Sequence, residues 1–126
     1  MKKKVLLVDD SPTVLMVEKM ILAKGPFQVV TARDGREAIE KAKSEQPDVV
    51  LLDVVMPNLD GLSACAAIRQ QPETAHIPII MVTTRGEETN VETAFLNGCT
   101  DYVTKPINGI ELLTKMNHIL GLGGAA

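Results

Sequence analysis

Short aliphatic runs that each stop at a carboxylate or a hydroxyl set the tightest limit on how this chain folds. Val5-Leu6-Leu7-Val8 stops at Asp9-Asp10, Val49-Val50-Leu51-Leu52 stops at Asp53, and the run 77–82 stops at Thr83-Thr84. Unbroken aliphatic runs of this length fit strands covered on both faces. The stretches 27–31 and 102–103 are weaker candidates. Pro78 stands where the run at 77–82 begins, so its missing N–H need not break a ladder.

Helical signals fill the gaps. Ser11-Pro12 pairs an N-cap residue with a proline at the first helical position. Val14, Val17 and Ile21 then fall along one face, and Gly25 is expected to close the segment. Asp34 with Glu37 three residues on reads as a capping pair, followed by Ala38, Ile39 and Ala42 as a buried stripe. Gly61 opens a third segment with Leu62, Cys65 and Ile68 inward. Glu87-Glu88 suit the positive end of a fourth helix, and Gly98 its end. Asn108 and Glu111 cap a fifth, whose apolar face is Leu112, Leu113, Met116, Ile119 and Leu120. Five strands alternating with five helices predict an α/β doubly wound parallel sheet with helices on both sides.

Composition narrows the function. One core suits 126 residues. Thirteen basic against sixteen acidic side chains give a net charge of −3, so there is no broad basic field for nucleic acid. With no Trp, and only Phe27, Phe95 and Tyr102 as aromatic residues, there is no stacking platform for bases either. Cys65 and Cys99 form neither a disulfide framework nor a complete zinc site, and read as small buried hydrophobes in a reducing compartment. The basic start MKKK leads into only four apolar residues, too few for a signal peptide. No stretch approaches a membrane span. The expected location is cytoplasmic. Residues 1–120 are expected to form the domain, and 121–126 a loose tail.

In open parallel sheets, ligands bind at the carboxyl ends of the strands. Asp9, Asp10, Asp53, Thr83, Thr84, Thr104, Lys105 and Pro106 all follow or end an apolar run. A lone acid there often caps a helix, and Asp10 could serve the helix from Ser11 onward. Three carboxylates together repel, and one must protonate unless a cation joins them. An incomplete cage of oxygen ligands suits Mg²⁺. Lys105 can hold a phosphoryl oxygen, Thr83 can donate to another, and an aspartate beside them is a competent nucleophile toward phosphorus. His76 and His118 lie away from this edge, which argues against zinc.

With VLLVDD at 5–10, LLDVVMPNLDG at 51–61, IIMVTT at 79–84 and NGCTDYVTKP at 97–106, the chain resembles a receiver domain of bacterial two-component response regulators, of the stand-alone chemotaxis type. The resemblance covers roughly residues 4–120. It implies a flavodoxin-like sheet of order 2-1-3-4-5 with five helices. It implies that Asp53 is the phosphoacceptor. Asp10 and Asp53 would bind Mg²⁺ directly, Asp9 mostly through water, and the backbone carbonyl of Val55 would complete the protein ligands. Thr83 and Lys105 would hold the phosphoryl group, the Lys105–Pro106 bond would be cis, and Tyr102 would be an aromatic switch. Tyr102 is equally an ordinary tyrosine at the edge of the core. Thr84 stands where a smaller residue is usual and would crowd the acceptor. Val55 and Arg85 occupy positions where the family varies, and Cys99 stands where alanine is common.

The resemblance further implies a phosphorylation-switched interaction module rather than an enzyme, assisting its own phosphorylation and dephosphorylation. Its partners would be a sensor histidine kinase or histidine phosphotransfer protein, docking near the first helix, and a downstream protein target. It implies neither nucleic acid nor membrane as a partner, and a monomer or a weak phospho-dependent dimer. Val91 and Phe95, four residues apart, share one side of the fourth helix and with Tyr102 make the expected partner face. Three alternatives remain. The chain is the N-terminal receiver of a longer regulator, or a degenerate receiver, which the intact acidic set disfavours. The third is a phosphatase with an aspartyl nucleophile, disfavoured because Val55 stands where its second aspartate would be.

Overall fold

The computed structural model describes residues 2–56, 59–84 and 88–122, the side chains of 84 and 88–91 excepted. Among the described residues, strands and helices alternate through ten elements: β1 (Lys3–Val8), α1 (Pro12–Leu22), β2 (Phe27–Ala32), α2 (Gly35–Glu45), β3 (Val49–Asp53), α3 (Gly61–Gln70), β4 (Ile79–Thr84), α4 (Glu88–Leu96), β5 (Asp101–Lys105) and α5 (Gly109–Leu120). The strands form one sheet in the order β2-β1-β3-β4-β5, every pair parallel. This is the flavodoxin-like arrangement that the receiver resemblance implies, and it agrees with the alternation of strands and helices read from the sequence.

Strand alternation divides the interior into two cores. Leu6, Val8, Val50, Leu52, Ile79 and Met81 meet Ala38, Ala42, Ala64, Cys65, Ile68 and Ala94 from α2, α3 and α4. Val5, Leu7, Val49, Leu51, Ile80, Val82 and Val103 meet Leu15, Leu22, Leu112 and Met116 from α1 and α5. The three central strands are thus covered on both sides, which is why their runs are continuously aliphatic. Small residues on α2 and α3 let those helices approach the sheet.

Side-chain oxygens cap four helices. Ser11 accepts from the Val14 N–H, Asp34 from Glu37, Asp60 from Ser63 and Asn108 from Glu111. Glu37 reaches back to the Arg33 N–H. Gly98 has φ 99°, the left-handed region that closes α4. Gly61 is required for a different reason: a Cβ there would collide with the Asp53 carbonyl oxygen. The chain therefore returns from the end of β3 directly against its last residue.

Three local expectations change. The strand expected from residue 77 begins at Ile79; Ile77 lies in a turn bonded to Thr74, and the Pro78 carbonyl accepts from the Val50 N–H. Gly25 does not close α1, which ends at Leu22 with Ala23 as its C-cap. Finally, α1 buries Leu15, Glu18 and Leu22, whereas Val17 is exposed and Val14 and Ile21 are half-buried. The two stripes are one residue apart. The sequence favours the one free of charge, but packing selects the one containing Glu18.

Candidate phosphoacceptor and metal site

The carboxyl ends of β1, β3 and β5 bring Asp9, Asp53 and Lys105 together. Asp9 follows β1, and Asp53 and Lys105 are the last residues of their strands. Lys105 Nζ lies 3.3 Å from Asp9 Oδ2 and 3.2 Å from Asp53 Oδ1. Asp9 and Asp53 are buried, while Asp10 is exposed. One oxygen from each of the three acids lies within 4.8 Å of the others.

Asp9 is held by the backbone. Its Oδ1 accepts from the Ser11 N–H at 2.9 Å, ahead of α1. So Asp9 steadies this turn, and Ser11, not Asp10, is the N-cap. The other oxygen, Oδ2, is fully buried and receives no directed hydrogen bond, although the ammonium is near. Thr83 Oγ1 is likewise buried and has no partner among the described residues. Unmet buried oxygens are uncommon in folded proteins and mark places where a further group fits.

The charges perturb one another. Burial, and then the charge of Asp9, push the Asp53 carboxyl up to about 6, against the pull of Lys105. Burial opposes the charge on Lys105, but Asp53 and Asp9 outweigh it and hold its ammonium above the ordinary lysine value. Such mutual strain is what an added cation relieves. The donor set (three carboxylates, one buried oxygen of which is met only by the Lys105 ammonium) fits a hard divalent ion with oxygen ligands. The fit favours Mg²⁺ over zinc, since His76 and His118 are exposed and remote from the cluster.

Glu18 is an acid that the sequence reading passed over. It lies in the α1–α5 core between Leu15 and Leu22, 1% exposed, with Oε1 unpartnered. Burial, then the charge of Asp9, push it up to about 8, with Lys105 opposing and Asp53 adding to the rise. Its signal in the sequence was its place midway between two leucines at helical spacing.

Thr83 and Tyr102 stand on the opposite face of the sheet from the α1–α5 core. Met81 and Thr83 alternate to the side of α2, α3 and α4, and the register pairs Met81 with Tyr102 and Thr83 with Thr104. Tyr102 packs partly buried against that core and meets Phe95 edge-on, with centroids 6.1 Å apart. Phe95 and Leu96 are exposed beside it. Val55 is exposed beyond the end of β3, and the Lys105–Pro106 peptide is cis. The side chains of Thr84 and Val91, together with Arg85, Glu87 and residues 123–126, lie outside the described residues. Cys65 and Cys99 are buried and their thiols raised, Cys99 to about 12; burial is the main cause for both. They fit the packing role expected of them.

The profile of the family described as "Response regulator receiver domain" matches residues 5–117. The chain belongs to the response regulator receiver family. It is 40% identical over 117 residues to Protein PilH of Pseudomonas aeruginosa, covering 93% of this chain and 97% of PilH. It is 38% identical over 120 residues to the alkaline phosphatase synthesis transcriptional regulatory protein PhoP of Bacillus subtilis, covering 95% of this chain but 49% of PhoP. Among solved structures, it superposes with a TM-score of 0.89 and 30% identity on the receiver domain of sensor histidine kinase PA1611 from Pseudomonas aeruginosa PAO1. That match covers 96% of this chain and 99% of the other, which holds a magnesium ion in its active-site cleft. The chain thus spans nearly all of PilH and about half of PhoP, and it shares its fold with the receiver domain of a sensor histidine kinase. Among the described residues, no helix is long and apolar enough to cross a membrane.

Proposed function

We propose that this receiver accepts a phosphoryl group on Asp53 from a phosphohistidine of a sensor kinase or phosphotransfer protein, and answers by repacking the surface around Tyr102. The observation that carries this reading is the buried Asp53 carboxylate with a lysine at 3.2 Å and two further acids beside it. Near-complete coverage of PilH supports action as a separate receiver; the half-coverage of PhoP keeps a multidomain regulator as the alternative.

Asp9, Asp10, Asp53 and the Val55 carbonyl are the residues that would hold Mg²⁺. When bound, the ion supplies charge neutralisation for the incoming phosphoryl oxygens. Asp53 attacks phosphorus in line with the histidine nitrogen. The P–O bond forms as the P–N bond breaks, and the leaving imidazole takes its electron pair and then a proton. Lys105 turns from Asp53 Oδ1 to a phosphoryl oxygen, keeping a positive charge at the site throughout. The unpartnered Thr83 hydroxyl donates to another oxygen, which draws it toward the acceptor. Space vacated by Thr83 then becomes available to Tyr102 on the same face. Hydrolysis by water returns Asp53 as carboxylate and releases inorganic phosphate, so the signal limits itself.

The face presented to a target combines Phe95 and Tyr102, with exposed Leu96 extending it. Exposed apolar residues around an aromatic suit a protein partner.

Phosphotransfer profiling against the histidine kinases and phosphotransfer proteins of the source cell tests the reading. Rapid, Mg²⁺-dependent labelling by one donor is the expected outcome. Failure of every donor, and of acetyl phosphate, would overturn it.

A further inference from the structure

We infer that Lys115 is a positioning residue that holds Tyr102 in its resting place and so sets how readily the receiver switches; this rests on the proposed role of Tyr102. β5 is an edge strand, so Tyr102 presents a main-chain carbonyl that no neighbouring strand takes. Lys115, on α5, reaches this edge from the other face of the sheet. Its ammonium donates to the Tyr102 carbonyl oxygen and lies 3.4 Å from Asp101 Oδ1. The same nitrogen stands 4.7 Å from the centroid of the Tyr102 ring. Phe95 closes the ring from the α4 side.

The anchor explains the effect. Lys115 is fastened to the backbone of Tyr102 and to the carboxylate of Asp101, neither of which turns with the tyrosine side chain. When the ring rotates away, the ammonium stays behind, and the attraction between cation and ring is lost. The edge contact with Phe95 is lost with it. Lys115 thus opposes rotation without touching the phosphoacceptor. A contact of this kind biases the two ring positions about two- to five-fold.

The chain carries its own reporter, because Tyr102 is its single tyrosine. Tyrosine labelled with ¹³C gives one set of ring signals, read in the free protein and with beryllofluoride and Mg²⁺. In wild type the signal is expected to move when beryllofluoride is added. In Lys115→Met the free-state signal should already lie part of the way along that displacement, with Lys115→Arg returned close to wild type. Asp101→Asn, which removes the charge that anchors Lys115 while its amide oxygen can still accept from the Tyr102 N–H, should shift it the same way by a smaller amount. A Lys115→Met signal that coincides with free wild type, or that moves off the wild-type line, overturns the positioning role. A wild-type signal unmoved by beryllofluoride, in protein that still labels on Asp53, overturns the switch reading itself.

Discussion

The ion pair between Lys105 and Asp53 joins β5 to β3 across the end of β4, two strands that are not neighbours in the sheet. It is also an electrostatic brake on protonation, since Lys105 pulls Asp53 down against burial and Asp9. Without the ammonium, the carboxyl must rise above about 6. Lys105→Met is therefore expected to titrate Asp53 at higher pH than wild type in metal-free buffer, followed by ¹³C carboxyl shifts. An unmoved titration would show that the two charges do not interact.

Metal binding should divide the two acids of the β1–α1 turn. Asp10 is exposed and free to reach an ion, whereas Asp9 already accepts from Ser11 and faces Lys105. Asp10→Ala is expected to lower Mg²⁺ affinity at least roughly tenfold, with little change in thermal stability. Asp9→Ala should cost less affinity and more stability. Mg²⁺ titration and thermal unfolding of both variants check this, and equal affinities for wild type and Asp10→Ala would contradict it.

Glu18 makes the receiver sensitive to alkali. Its folded value of about 8 exceeds its ordinary 4.5, so between those values the folded chain keeps a proton that the unfolded chain releases. Stability contributed this way is present below pH 4.5 and is lost as pH rises through 8. Asp53, raised from 3.8 to about 6, adds the same sign over its lower window. Urea unfolding with a chelator should show wild type losing stability from pH 6 to 8, and Glu18→Gln losing clearly less, by a difference on the order of a few kcal/mol. Identical slopes for the two proteins would mean that Glu18 is ionised in the fold.

Thr83 has a buried hydroxyl with no partner among the described residues, and the proposed mechanism gives it the phosphoryl group as a partner. Thr83→Ala should still label on Asp53, but roughly tenfold or more slowly, as for loss of one donor to a developing anion. Its Tyr102 signal should no longer follow phosphorylation. Normal coupling to Tyr102 in this variant would place the relay elsewhere.

What the sequence revealed, and what it hid, follows from the physics. The two-sided burial of β1, β3 and β4 and the gathering of Asp9, Asp10, Asp53 and Lys105 were legible because continuous aliphatic runs and strand-end acids are local signals, whereas the strand order came only with the family resemblance. Glu18 was not. A charged residue argues for the solvent face of a helix, and only its position over the α1–α5 core, with Leu15 and Leu22 on either side, buries it. Lys115 was hidden for another reason: its partners, Tyr102 and Asp101, meet it only once α5 wraps past the free edge of β5. The start of β4 moved by two residues because Ile77 satisfies its N–H within a turn.

The central claim is that Asp53 is the nucleophile. Wild-type protein and Asp53→Asn, each incubated with acetyl phosphate and Mg²⁺, can be weighed intact and titrated with chelator. Wild type is expected to gain a single phosphoryl mass, lost when metal is withdrawn, and Asp53→Asn to gain none. An undiminished phosphoryl gain in Asp53→Asn would contradict it.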